Sequence, residues 1–355
     1  MKAIPLWTWA FPFAAAIVLA VVWPSASGPL AIAAGLALVA AVFAGVHHAE
    51  EIAHQIGEPF GTLVLAIAVT IIEVGLIVSL MLGGGADKSA LARDTVFAAV
   101  MIVCNGLVGL CLLSGGVRHH RQDFQVQGAS AALAVLAALT TLSLVLPNYT
   151  MTTPGPVFST SQLAFAGVVS LVLYGAFVFV QTIRHREDFL DEEDNSSAAE
   201  GDLAAPPLWA AAALLIVSLV AVVGLAKALT QTVETGVAAI GAPKSVVGIV
   251  IAALVLLPES WAALNAARAN RLQTSLNLAL GSALASIALT IPVVAAVSIV
   301  LDIPLTLGLG LMQQILLALT LFIAVITLGT GRTTILQGVV HLVIFAAFLF
   351  LAIVP

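Results

Sequence analysis

AIAVTIIEVGLIVSL, residues 66–80, holds a single charged side chain, that of Glu73. The apolar run around it extends from Phe60 to Leu82. A membrane-spanning helix needs about 20 such residues. An ionised carboxylate at that depth costs at least roughly 2.5–3.5 kcal/mol on insertion scales. A residue kept at such a cost is by default a functional one, turned toward the bundle interior or a water-filled path.

Composition fits that reading. The chain has 355 residues, of which 61% are hydrophobic and 8% charged. A soluble domain carries roughly 25% charged residues, so lipid must cover much of this surface. Cys104 and Cys111 fall in one apolar run, which fits neither a disulfide framework nor a thiolate metal site. The net charge of −6 is less informative than the local charge distribution.

Eleven apolar runs are expected to span: Leu6–Trp23, Leu30–His47, Phe60–Leu82, Ala92–Ser114, Ala129–Leu146, Ser161–Ile183, Leu208–Leu225, Val246–Ala267, Ser275–Leu301, Leu305–Leu328 and Thr333–Ile353. Proline and glycine punctuate the joins, for example Pro24, Pro59, Pro147, Pro206 and Pro304. The runs are continuous rather than alternating, which argues against a β-barrel. The fold class is therefore an all-α polytopic membrane protein. Lys2, an apolar run and the following "PSASG" also fit a cleaved secretory signal; a retained first span is expected.

Arginine and lysine set the orientation. With the N-terminus in the cytoplasm, eight fall inside (Lys2, Arg118, Arg121, Arg184, Arg186, Arg268, Arg271, Arg332) and four outside (Lys88, Arg93, Lys227, Lys244). Eleven spans then put the C-terminus outside. The expected location is a bacterial inner membrane.

A second carboxylate answers Glu73. "TLVLAIAVTIIE" ends on Glu73 and "GIVIAALVLLPE" ends on Glu259. Each is followed by a span with polar residues in its middle: Asn105 in the first case, and Asn277, Ser282, Ser286 and Thr290 in the second. The expected organisation is an N-terminal helix (1–28), a five-helix repeat (29–184), an acidic cytoplasmic linker (185–206) and a second five-helix repeat (207–355). Five is odd, so the second repeat runs the opposite way. Inverted repeats of this kind place ion sites near the midplane, and the symmetry predicts that Glu73 and Glu259 meet there.

Two poorly solvated carboxylates facing one another repel, and both effects favour bound protons. Ca2+ reverses that balance, because it takes six to eight oxygens and ionised carboxylates supply several. A site that holds either protons or a cation, but not both, is an exchange site. Pro258 is expected to break the helix beside Glu259 and free carbonyls as further ligands. Asn105, Ser282 and Ser286 are candidate ligands; their alternative role is helix packing. For the glutamates the alternative is a protonated structural residue, against which the paired occurrence argues.

These segments resemble the calcium/cation antiporter superfamily, and within it the bacterial ChaA-like cation/proton exchangers. The resemblance is carried by "AEEIAHQIGEPFGTLVLAIAVTIIEVGLIVSL" with "LARDTVFAAVMIVCNGLVGLCLLSGG", and by "PESWAALNAARANRLQTSLNLALGSALASIALTIPVV". It implies an eleven-span exchanger moving Ca2+, or monovalent cations, against protons. It assigns ion binding to Glu73 and Glu259, and partner positions to Asn105, Gly281, Ser282 and Ser286. Eukaryotic-type members have Gly-Asn-x-x-Glu in both repeats. Here "VTIIE" and "VLLPE" stand in those places, so both Gly-Asn pairs are absent. Thr70 replaces one amide ligand, while Leu256 replaces none.

Two polar stretches remain. "HHAEEIAH" puts His47, Glu51 and His54 on one helical face, as a cation-collecting or pH-sensing vestibule or simply a polar collar. It is not His-Glu-x-x-His, because residue 50 is Glu50, which speaks against a membrane metalloprotease. Asp191, Glu192, Glu193 and Asp194 form either a solvated linker or a cation-sensing segment. A channel is disfavoured by the inverted repeat and by the lack of a repeated filter loop. No phosphate-binding loop occurs, so ATP is not the expected energy source. The reading is a secondary transporter rather than an enzyme. It needs no cofactor; its cargo is Ca2+ and H+, with Na+ or K+ as the alternative. Its partners are inorganic cations and the bilayer, with no nucleic acid, and the sequence does not fix its oligomeric state.

Overall fold

The computed structural model describes residues 5–57, 60–82, 89–189 and 207–354. The acidic stretch Asp191–Asp194 lies outside them. The protein is an all-α polytopic membrane protein. Among the described residues, eight helical segments are long and apolar enough to cross a bilayer, and a bent pair makes a ninth. Leu6–Val22 (α1) is a shorter apolar helix, and the helix of Glu73 runs Phe60–Leu82 (α3). Exposed side chains such as Phe165, Val168, Leu171 and Val172 form an apolar outer face, as expected of helices solvated by lipid tails.

The chain divides into two compact units that do not follow the order of the sequence. The first comprises Met1–Gly84 and Asn195–Val247. It is built on Pro29–Ile56 (α2), which packs against α1, α3 and Leu208–Ala239 (α8). Small residues recur on the buried face of α2, at Ala34, Ala41, Gly45 and Ala49. Close backbone approach of this kind drives helix association in lipid. Gly75, two residues past Glu73, is one such place: a Cβ there would lie 2.8 Å from Val223 Cγ2 of α8.

The second unit comprises Gly85–Asp194 and Gly248–Pro355. One central segment runs from Leu91 to His119 as Leu91–Met101 (α4), a π-helical turn Ile102–Leu107, and Val108–His119 (α5). Around it lie Val126–Thr140 (α6), Thr160–Phe179 (α7), Ser245–Val255 (α9), Leu257–Arg268 (α10), Leu272–Leu301 (α11), Leu311–Leu328 (α12) and Ile335–Ile353 (α13). Local signals start two of them. Ser159 caps α7 and Gln162 reaches back to the Ser159 N–H at 2.9 Å. Thr334 and Gln337 form the same box on α13. A short antiparallel pairing of Gln122–Asp123 (β1) with Arg332–Thr333 (β2) joins two connections.

The span expected from Leu305 to Leu328 begins as a helix only at Leu311. Residues 303–310 are non-helical, with Leu305, Leu307 and Leu309 all buried. Pro304 and the glycines at 308 and 310 disfavour helix here. Partners outside the segment satisfy its backbone: Thr306 N–H donates to the Ser89 carbonyl (3.0 Å), Gly308 N–H to Pro156 (3.0 Å) and Leu309 N–H to Leu144 (2.9 Å). The Arg93 guanidinium donates to the Gly308 carbonyl at 3.0 Å. Such irregular backbone persists at membrane depth only where protein covers it.

Candidate functional site

The expected break at Pro258 is present. α9 and α10 meet at Leu256 with a bend of 56°. Pro258 has no N–H for the carbonyl of Leu254, so the α-helical ladder cannot run through it. The helix restarts at once, with Ser260 N–H donating to Leu256 at 2.9 Å. Glu259 therefore sits in the first turn of α10, half-buried. Unsatisfied N–H groups at a helix start favour a carboxylate there.

Within the same unit, α10 packs against α11 and against the π turn of residues 102–107, and the π turn packs against α11. Those elements carry Glu259, Ser282 with Ser286, and Asn105. Ser286 is 4% exposed and Ser282 half-buried, one turn apart on α11. Asn105 is fully buried in the π turn, a helical irregularity common at functional sites. Its amide N–H donates to Thr320 Oγ1 at 2.8 Å, and its carbonyl oxygen lies 3.3 Å from His341 Nδ1. Asn105 is thus held by α12 and α13.

In the first unit, Glu73 is 2% exposed on α3, with Thr70 one turn before it and also buried. Among the described residues no cluster of three or more His, Cys, Asp or Glu could hold a metal ion.

The histidine stretch forms the last turns of α2, which runs on past His47 to Ile56. Glu51 lies 3.3 Å from His47 Nε2 and 3.1 Å from His48 Nδ1. His48, absent from the sequence-based candidates, is fully buried, and its Nε2 donates to the Thr8 carbonyl of α1 at 2.9 Å. Both of its ring nitrogens face acceptors. His54 is exposed near the helix end. Asn277 has a docking role: its amide donates to the Phe189 carbonyl, and Gln273 beside it donates to Asn277 Oδ1 at 3.0 Å.

A buried carboxylate on α3, a half-buried one beside a proline break and a buried amide in a π turn are the pattern of a polytopic transporter of inorganic cations. The chain belongs to the sodium/calcium exchanger protein family, which matches residues 27–183 and 210–354. It is 54% identical over 357 residues to y4hA of Sinorhizobium fredii, covering 99% of this chain and 97% of that protein. It is 36% identical over 348 residues to the sodium-potassium/proton antiporter ChaA of Escherichia coli, covering 96% and 94%. Its fold matches the solved structure of native YfkE with a TM-score of 0.75, at 17% identity and over 99% of both chains.

Proposed function

We propose that this protein is a cation/proton antiporter working by alternating access, with Glu73 and Glu259 carrying either the cation or protons. The observation that supports it best is a buried or half-buried glutamate inside an apolar span of each half, one of them on a helix break. The cargo of the main reading is Ca2+, the ion for which two carboxylates and neighbouring neutral oxygens are the natural donor set. Thr70, Ser282, Ser286 and Asn105 supply those oxygens. The halves 29–184 and 207–355 act as inverted repeats, with the N-terminus cytoplasmic and the C-terminus outside, in a bacterial inner membrane.

A second reading exchanges Na+ or K+ through the same glutamates. Two facts favour it: the name of the 36%-identical relative, and the loss of both Gly-Asn pairs, which leaves fewer amide oxygens for a divalent ion. The test is proton flux in inverted vesicles, read with a pH dye as Ca2+, Na+, K+ or Mg2+ is added. Ca2+-driven alkalinisation supports the main reading. A response to Na+ or K+ alone supports the second, and no response to any of them removes both.

His47, His48, Glu51 and His54 form a pH-responsive group at the cytoplasmic end of α2. Replacing His47, Glu51 and His54 by Gln is expected to shift the pH profile of flux. A profile identical to wild type reduces the group to a polar collar. The linker residues Asp191, Glu192, Glu193 and Asp194 serve as a solvated linker or as a cation-sensing segment; in the second case neutralising all four changes the Ca2+ concentration for half-maximal flux and leaves maximal flux near wild type.

A further inference from the structure

Four side chains and one carbonyl in the second unit form a continuous hydrogen-bonded chain linking α12, the π turn and α13. Thr320 Oγ1 donates to the Leu316 carbonyl at 2.7 Å. Asn105 Nδ2 donates to Thr320 Oγ1 at 2.8 Å. His341 Nδ1 lies 3.3 Å from Asn105 Oδ1, and His341 Nε2 lies 3.1 Å from Thr327 Oγ1. Asn105, Thr320 and His341 are fully buried, and Thr327 is 2% exposed.

The terminus fixes the direction of the chain. A carbonyl only accepts, so the Thr320 hydroxyl proton goes to Leu316 and its oxygen must accept from Asn105. That places the Asn105 amide nitrogen toward Thr320 and its oxygen toward His341. His341 then donates from Nδ1, and its Nε2 accepts from the Thr327 hydroxyl. In this order every side chain of the chain meets a complementary partner, and the backbone of Cys104 is a further hydrogen-bond partner of His341. The sulfur of Met101, 3.4 Å from Thr320 Oγ1 and 3.8 Å from Asn105 Nδ2, completes the surroundings.

We propose that Thr320, His341 and Thr327 are positioning residues for cation binding, fixing the carboxamide of Asn105 with its oxygen in one orientation. This rests on the reading of Asn105 as a cation-site residue. An amide anchored only by packing exchanges its oxygen and nitrogen by a half-turn, and one of the two settings offers a cation a donor N–H rather than an oxygen. Thr320 removes that ambiguity because it accepts from the nitrogen and has already spent its own proton. The weaker contact to His341 leaves the oxygen acceptor capacity to spare. Cation affinity thereby depends on α12 and α13, which lie more than 200 residues from Asn105 in the chain.

The test uses the full-length protein in inverted vesicles, with Ca2+ and Na+ as separate probes. Thr320→Val keeps the shape and removes both the acceptor and the donor. It is expected to raise the half-saturating cation concentration about fivefold, the effect of one neutral hydrogen bond, with maximal flux near wild type. Thr320→Ser restores wild-type affinity. In an Asn105→Ala background, Thr320→Val adds nothing. An unchanged half-saturation in inserted Thr320→Val protein overturns the proposal, as does a full additional effect on top of Asn105→Ala. Thr327→Val removes only the far donor and is expected to shift affinity less, in the same direction. If Thr320→Val does not insert, an unshifted Thr327→Val overturns the proposal. Glu259→Gln, measured alongside, separates the two levels: flux that survives it removes the two-glutamate reading of the site, whatever the threonine variants do.

Discussion

Glu73→Gln and Glu259→Gln are each expected to abolish coupled cation/proton flux in inverted vesicles, with the protein still present in the membrane. Gln keeps the size of the side chain and one carbonyl oxygen. It loses the negative charge that a cation needs and the proton that the return step carries. Exchange requires both abilities in one cycle, so either substitution stops it rather than slowing it. The double variant is no worse than either single one, because residues that act as a unit are non-additive. Asp replacements keep the charge but withdraw it by one methylene, and are expected to retain partial flux at reduced affinity. Normal cation-driven proton movement in Glu259→Gln would falsify the two-glutamate cycle and leave Glu73 in need of another partner.

Neighbouring residues are expected to be less sensitive. In the proposed site Thr70, Ser282 and Ser286 contribute neutral oxygens, and Ser286→Ala is expected to weaken cation affinity while transport persists. The largest effects therefore belong to groups that change charge or reposition a charge.

The positions of the spans were legible in the sequence because hydropathy alone determines which segments lipid will accept. Glu73 and Glu259 stood out for the same reason: a carboxylate within an apolar run has no inexpensive explanation. The break before Glu259 was equally legible, since Pro258 lacks the N–H that a continuous helix needs. Residues 303–310 were misread because Leu305, Leu307 and Leu309 raise hydropathy equally in a non-helical and a helical backbone. Only the period of two, together with Gly308 and Gly310, marked the difference. The last turns of α2 are polar and lie past the apolar span, and the helical spacing of His47, Glu51 and His54 was legible there.

What the sequence could not give was partnership. Thr320 and Thr327 are spaced seven apart, on one face of an otherwise apolar span, which is a signal that something polar faces them. It does not say that the partners are Asn105 and His341. His48 is similarly silent: nothing in "HHAEEIAH" distinguishes it from its neighbour His47, yet one is fully buried against α1 and the other is half-exposed. Periodicity reports which face of a helix is buried, while the identity of the opposing helix follows from the packing of the whole unit.

Pro258→Ala is expected to lower transport while leaving the protein as stable as wild type or more so. Proline inside a helix costs about 3 kcal/mol relative to alanine, and α9 and α10 avoid that cost by breaking at Leu256 and turning through 56°. Alanine restores an N–H that can reach the carbonyl of Leu254, so a continuous helix from Ser245 to Arg268 becomes accessible. In a continuous helix Glu259 no longer occupies a first turn. It loses the exposed N–H groups that favour its charge and its direction changes with the removal of the bend. Displacement of a reacting group by about 1 Å can cost roughly a hundredfold in rate, so a fall in flux of roughly tenfold to a hundredfold is expected. Pro258→Gly removes the ring but keeps a weak point in the helix, and should fall between the two. Melting temperature in detergent, measured with flux on the same preparations, separates a repositioned glutamate from a misfolded protein. Wild-type flux in Pro258→Ala would mean that the bend serves packing against α11 and the π turn, and that Glu259 reaches its place without it.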